Sequence, residues 1–304
     1  SPLCKTLKKS MAQKHNLYEP HHDLRELIHI FAAKKKSNKA MKNVKIAIIG
    51  CGNLGLSILN GLLDNEAVDP SNITVTRRNI ETIKPFEARG VFVTNDNIKA
   101  VKDSELVILA LKPYNILEVI GELSPYFDLK KHILVSLATG ISVDEIQNIT
   151  NKELSVYRAM PNTAADVKTS MTCICTNSKD LDASERVKDC FNAIGETIII
   201  DERLMDAATV LGACGIAYVM RFIRGMIQGG IQIGFDAKTA SKIVTQTVKG
   251  AAELLDQNNQ HPEYEIDKVT TSKGCTITGL NEMEHNGFSS ALIKGIVASY
   301  EAID

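Results

Sequence analysis

Two short segments concentrate the residue types that chemistry needs. The first, GCGNLG, places Gly50, Gly52 and Gly55 around Asn53 and Leu54. That GxGxxG spacing suits a pyrophosphate: the first glycine permits a tight turn, the second lets phosphate oxygens reach the backbone, and the third lets helix and strand pack closely. The second segment, VTTSKGCTITGL, runs from Val269 to Leu280 and gathers Thr271, Lys273, Gly274, Cys275 and Thr276. Three chemistries compete for it: a phosphate grip, a reactive cysteine in a basic setting, and a helix entrance whose free N–H groups hold some other anion.

The elements around these segments decide what they are able to do. VKIAII, residues 44–49, is a short β-branched run ahead of the glycines, and Leu54, Ile58 and Leu62 follow at helical spacing. Strand, glycine turn and helix is the context in which GxGxxG binds a dinucleotide, with the phosphates at the helix N-terminus. The next strand, NITVT, ends at Thr76, where a protein that reads the ribose 2′-hydroxyl of NAD usually has a carboxylate. Arg77 and Arg78 stand there instead. Guanidinium forks match a 2′-phosphate in charge and geometry, so NADP(H) is expected ahead of NAD(H). The plain alternative leaves both arginines solvated on a surface loop.

Further strands are expected at residues 90–94, 105–113, 132–140, 155–163, 170–176 and 196–200, with helical patterns between most of them. Such alternation predicts a predominantly parallel sheet covered on both faces, with ligands beyond the carboxyl ends of the strands. Three strand ends turn small or polar and are expected to face a nicotinamide: Ala110-Leu111-Lys112-Pro113, Ala138-Thr139-Gly140 and Met160-Pro161-Asn162-Thr163. Past Asp201 the patterning becomes helical, and glycines at 212, 215, 225, 229, 230 and 234 suggest closely approaching helices. Arg221 and Arg224 read as surface or intersubunit charges, and Tyr218, Met220 and Met226 as packing residues. The fold class is therefore α/β then all-α. A Rossmann-type domain over residues 41–203 precedes a helical domain over 204–304, whose apolar faces predict a homodimer or larger homo-oligomer.

Composition narrows the remaining classes. The chain has 304 residues, 44% of them hydrophobic, with a formal net charge of −1, so no global basic field attracts nucleic acid. No apolar run approaches the roughly 20 residues that span a bilayer, so no membrane partner is expected. Seven cysteines without CxxC spacing read as free thiols of a reducing, cytoplasmic compartment. Residues 1–40 stand apart: they carry nine Lys/Arg against three Asp/Glu and end in AAKKKSNKA. His15, His21, His22 and His29 could form a metal site, but a solvated or non-native extension is the preferred reading, and no metal site is expected. Residues 23–33 read as one short amphipathic helix, and Met41 as the start of the fold.

The sequence resembles the pyrroline-5-carboxylate reductase family over about Lys45 to Ala302. The resemblance is carried by IGCGNLG, LALKPYNILEVI, VSLATGIS, YRAMPNT, GACGIAY with GGIQIG, and above all QHPEYEIDKVTTSKGCTITGLNEMEHNGFSSALIKGIVAS. It implies NAD(P)H-dependent reduction of the C=N bond of 1-pyrroline-5-carboxylate to L-proline, with a helical dimerisation domain. It places the substrate carboxylate on Thr271, Gly274, Cys275 and Thr276, the Thr276 hydroxyl near the ring nitrogen, the nicotinamide near Lys112, Pro113, Ala138 and Gly140, and the adenosine near Thr76, Arg77 and Asn97. Two segments depart from the family: TSKGCT stands for SPGGTT and ACGIAY for GSGPAY. Lys273 thereby occupies a position where a positive φ would favour glycine. The alternatives are a reductase of another cyclic imine acid and a non-catalytic NADP-binding regulatory protein. A 3-hydroxyacid dehydrogenase would need a lysine on the inner helix, and residues 205–234 contain none.

The three readings of residues 269–280 then resolve to one. Phosphates have their loop at Gly50–Gly55, and imine reduction needs no covalent cysteine, so Gly274–Thr276 is expected to be a helix entrance that clamps a carboxylate. Lys273 is expected to point to solvent. No strong general acid stands out. Thr276 orients the nitrogen by hydrogen bonding, and water is the expected proton source.

Overall fold

The computed structural model describes residues 41–303. The expectations placed on residues 1–40, the 23–33 helix and the histidine group, lie outside the described residues. Met41 is buried under the sheet.

Eight strands form one sheet in the order β3-β2-β1-β4-β5-β6-β7-β8. They are β1 Ile46–Ile49, β2 Ile73–Thr76, β3 Phe92–Thr94, β4 Leu106–Leu109, β5 Ile133–Ser136, β6 Ser155–Met160, β7 Ser170–Thr176 and β8 Gly195–Ile199. All neighbouring pairs are parallel except β6 and β7. β1, β4 and β5 are buried along their whole length, which is why they read as unbroken apolar runs rather than as alternating ones. Chain order reverses between β1 and β4, so a crevice opens at their carboxyl ends.

Helices cover both faces. On one face α1 (Asn53–Asp64) and α5 (Leu181–Asn192) bury Ile58, Leu62, Val187 and Phe191. On the other, α2 (Asn97–Lys102), α3 (Pro113–Leu123) and α4 (Val143–Ile149) bury Val101, Ile116, Ile120 and Ile146. Ser142 and Glu145 close a capping box at the start of α4, satisfying two of the backbone donors a helix leaves open there.

After β8 the chain is helical. α6 (Met205–Ala208) runs through a π-helical turn at Thr209–Cys214 into α7 (Gly215–Gln232), followed by α8 (Ala237–Asn258), α9 (Pro262–Lys268), α10 (Cys275–His285) and α11 (Phe288–Glu301).

Two expectations change here. Residues Glu202–Gln232 form one continuous helix of 31 residues with a window of mean hydropathy 1.5, long and apolar enough to cross a membrane. The sequence reads a helix over 205–234, but Arg221, Arg224 and several glycines punctuate it and conceal how apolar it is as a whole. Only 6% of that window is buried, and α7, α8 and α11 expose Met220, Phe222, Leu254, Leu292 and Val297. The glycines, expected to mark close helix approach, do so within the chain only in part: a Cβ at Gly230 would touch Ala240 at 3.2 Å, but Gly212, Gly225, Gly229 and Gly234 face open space. Tyr218 and Met226 line an apolar groove of about 830 Å³ with Phe222, Met283 and Phe288, and Met220 is 60% exposed rather than packed.

Candidate active site

β1 ends in Gly50 at φ +79°, a conformation L side chains rarely adopt, and a Cβ there would lie 2.2 Å from Leu111 Cδ2. β2 holds the turn from outside: Gly50 N donates to Thr76 O at 3.1 Å and to Thr76 Oγ1 at 3.2 Å, and Cys51 N donates to Thr76 O at 2.8 Å. Thr76 is buried, so its hydroxyl supports the loop. Gly52 caps α1 without a side chain, and the nearest atom to a Cβ added there is Gly50 O at 3.9 Å. The first-turn N–H groups of Asn53, Leu54 and Gly55 have no intrahelical acceptor and could hold an anion such as a pyrophosphate. A Cβ at Gly55 would sit 3.3 Å from Ala110 Cβ and 3.4 Å from Ile48 Cγ2, so this glycine brings α1 onto the sheet.

Arg77 leans over the loop, with Nη1 3.4 Å from Cys51 O. Arg78 is exposed and makes no hydrogen bond or ion pair among the described residues. Among the described residues the hydrogen bond from this pair to the glycine loop is Arg77's. Burial pushes the Cys51 thiol up to about 12, with the Arg77 charge opposing, so Cys51 is a packed, protonated thiol. Asn97 opens α2 after Asp96, which accepts from Lys99 N at 2.9 Å.

Strand register lines up the other ends. Ile49 pairs with Leu109, Leu109 with Ser136, and Ser136 with Arg158, so Ala110–Pro113, Ala138–Gly140 and Met160–Thr163 follow one another along one sheet edge. Pro113 begins α3, where its missing N–H costs nothing, and Lys112 is exposed ahead of it. Ala138 is buried, and Gly140 turns the chain at φ +74°. Asn162 is buried, accepts from Ala164 N at 3.0 Å and donates Nδ2–H to Gly212 O in the π-helical turn at 3.1 Å.

The downstream segment is a helix entrance. α10 begins at Cys275 with Gly274 as its cap, offering no side chain to its own first turn. Lys273 has φ +59°, in the left-handed region that favours glycine, and its side chain is exposed. Gly274 N donates to Thr271 O at 2.9 Å, and a Cβ on Gly274 would come within 2.5 Å of Thr271 Oγ1. Lys273 and Gly274 together thus present the free N–H groups of Cys275 and Thr276 outward. Among the described residues no hydrogen bond or ion pair joins residues 269–276 to the sheet, so the chain's own contacts do not hold the helix entrance against the strand ends.

The matches to known proteins follow this division. Residues 202–304 match the family model for pyrroline-5-carboxylate reductase dimerisation, and residues 45–140 match that of coenzyme F420-dependent NADP oxidoreductases. Pyrroline-5-carboxylate reductase 2 of Dictyostelium discoideum is 39% identical over 275 residues, covering 85% of this chain and 92% of the relative. The chain belongs to the pyrroline-5-carboxylate reductase family. Pyrroline-5-carboxylate reductase 1 of the same organism is 45% identical over 84% of this chain, which spans about half (48%) of that longer relative. The crystal structure of Plasmodium falciparum pyrroline carboxylate reductase with NADP bound superposes with a TM-score of 0.79 at 25% identity, covering 86% of this chain and 97% of the other.

Sequence reasoning passed over one buried feature. Arg158 lies inside β6 with its side chain 6% exposed, its Nη1 3.0 Å from Glu202 Oε1 and its Nη2 3.8 Å from Asp206 Oδ1. The available signal was an arginine in the otherwise buried run SVYRAM, because a charge there requires a partner from elsewhere in the chain.

Proposed function

We propose that this chain reduces 1-pyrroline-5-carboxylate to L-proline with NADPH, the final step of proline biosynthesis. The observation that carries the proposal is the helix entrance at Gly274–Thr276, preceded by a left-handed Lys273, in a chain whose GxGxxG loop sits at the switch point of its sheet. When bound, NADPH supplies the hydride. The residues of the chain bind and orient. Asn53, Leu54 and Gly55 present N–H groups to the pyrophosphate, Arg77 pairs with the 2′-phosphate, and the edge from Ala110–Pro113 to Ala138–Gly140 receives the nicotinamide. Gly274, Cys275 and Thr276 fix the substrate carboxylate, and that contact aims the ring carbon of the imine at the nicotinamide.

Thr276 orients the ring nitrogen, accepting from an iminium N–H or donating to the product amine. Its hydroxyl is too weak an acid to be the ultimate proton source, so water, or a substrate already protonated in solution, supplies the proton. The exposed apolar faces of α7, α8 and α11 pair with a second copy, giving a homodimer or larger assembly. The six described cysteines are all unpaired, which supports a reducing, cytoplasmic setting.

The test follows NADPH oxidation with three candidate acceptors: pyrroline-5-carboxylate, a six-membered cyclic imine acid and a 3-keto acid. Fastest turnover on the five-membered imine supports the proposal. Preference for the six-membered ring would reassign the substrate, and turnover on none of the three would point to a regulatory NADP-binding protein.

A further inference from the structure

The turn expected to receive the nicotinamide, Leu137–Ser142, is anchored at both ends, and its two anchors come from different parts of the chain. At the near end Leu137 N donates to Leu109 O at 3.1 Å and Ala138 N to Ser136 Oγ at 3.3 Å, both within the sheet. At the far end Val143 N, the first amide of α4, donates to Glu202 Oε1 at 2.8 Å. Glu202 lies in the short 3₁₀ turn Glu202–Leu204 that leads into the C-terminal helices. The same oxygen accepts from Arg158 Nη1 at 3.0 Å. Glu145 is not available for this role, since its carboxylate already accepts from Ser142 N at 2.8 Å and Ser142 Oγ at 2.6 Å.

Between the anchors the chain reverses at Gly140 with φ +74°, so it has little regular structure to hold it. Arg158 fixes Glu202 in turn: it is buried in β6, directly beside Ser136 of β5, and its Nε has no hydrogen-bond partner. Two carboxylates face this buried guanidinium, Glu202 Oε1 at 3.0 Å from Nη1 and Asp206 Oδ1 at 3.8 Å from Nη2; Glu202 is the nearer and the one hydrogen-bonded to it, so the buried charge holds it in place.

We infer that Glu202 is a positioning residue for the nicotinamide end of the cofactor: its carboxylate pins the Ala138–Gly140 turn and makes that turn's placement depend on the seating of the C-terminal helices. The inference rests on the cofactor reading given above. Glu202 touches neither cofactor nor substrate in this scheme. It acts through Val143 N, and Arg158 acts through Glu202.

The test compares wild type with Glu202→Ala, which removes the acceptor, Glu202→Asp, which keeps the charge and shortens the reach, and Glu202→Gln, which keeps an acceptor oxygen. Three readouts are used: affinity for NADP⁺, affinity for 2′,5′-ADP, which lacks the nicotinamide half, and amide exchange of residues 137–143 in the ligand-free protein. For the Ala and Asp variants, NADP⁺ affinity should fall about tenfold, the scale of a modest misplacement. Affinity for 2′,5′-ADP should stay within about twofold and exchange at 137–143 should accelerate while α1 is unchanged; the Gln variant should recover most of the loss. If the Ala variant fails to fold, the Asp variant carries the comparison.

Unchanged exchange at 137–143, or NADP⁺ and 2′,5′-ADP affinities falling together, would overturn the inference. Failure of the wild-type protein to bind NADP⁺ would instead sink the cofactor reading, which separates the two.

Discussion

Gly274→Ala is the perturbation whose consequence the geometry specifies most closely. Gly274 has φ −75°, so alanine meets no backbone penalty there, and any effect must be steric. The added Cβ would lie 2.5 Å from Thr271 Oγ1 and 2.9 Å from Thr271 O. A hydroxyl is able to rotate away, but the carbonyl belongs to the loop that sets the helix entrance, and Gly274 N is hydrogen-bonded to it at 2.9 Å. Relief therefore requires the loop to move by several tenths of an ångström to about 1 Å, a displacement that costs up to about 100-fold when it misaligns reacting groups.

The expected result is a 10- to 100-fold loss of kcat/KM for pyrroline-5-carboxylate, about 1.4 to 2.8 kcal/mol of transition-state stabilisation. The KM for NADPH should stay within about twofold, because the phosphate loop is built from other elements. Gly279→Ala is the control: it lies on the same helix with nothing within 4 Å of the new methyl, and it should be silent. Steady-state kinetics with each substrate varied in turn reads both numbers. Full activity in Gly274→Ala, or an equal loss in Gly279→Ala, would refute the assignment of the helix entrance to the substrate carboxylate.

Three further outcomes are expected. Thr276→Ala should lower kcat/KM at least about tenfold, the value of one oriented hydrogen bond near 1.4 kcal/mol, and unchanged kinetics would remove Thr276 from the mechanism. Arg77→Ala should raise the KM for NADPH by about tenfold or more and that for NADH by less than about twofold; equal effects would remove the 2′-phosphate contact. His132 is buried with Nδ1 accepting from Asp128 N at 2.7 Å and Nε2 3.0 Å from Val101 O, and burial holds its pKa below the usual value. Between that lowered value and the unfolded value of about 6.5 the unfolded chain binds more protons, so this contribution is complete above pH 6.5 and is lost as pH falls below it. Urea unfolding from pH 8 to pH 5 should show the decline, with a shallower one in His132→Gln; identical slopes would contradict it.

The glycine turn between β1 and α1 was legible because everything it needs is local: a buried run, three glycines at fixed spacing and a helix pattern follow one another within 20 residues. The helix entrance at Cys275 was legible for the same reason, as was the strain at Lys273, which a lysine standing in a glycine position announces. What stayed hidden depends on partners far away in the chain. That the Thr76 hydroxyl also accepts from Gly50 N shows only once β2 is placed beside β1. Arg77 and Arg78 read alike, and the hydrogen bond of Arg77 to Cys51 O appears only in the structure. The antiparallel β7 looks like any other apolar run, because strand direction leaves no mark in composition. The Arg158–Glu202 pair spans 44 residues, and the π-helical turn at Thr209–Cys214 is tied to Asn162 across 50. Neither spacing carries a local signature. The extent of the Glu202–Gln232 helix was legible to within a few residues as 205–234; its overall apolar character was not, because charges and glycines break up the apolar run.

The central claim is that hydride passes from NADPH to the imine carbon of pyrroline-5-carboxylate held at Gly274–Thr276. The most direct measurement uses NADPH deuterated at the nicotinamide C4, each face in turn, with pyrroline-5-carboxylate, and reads the product by mass spectrometry and NMR. The expected product is L-proline carrying one deuterium on the ring carbon next to nitrogen from one of the two labelled faces. Proline without label from either face, or no proline formed while the cofactor binds, would contradict it.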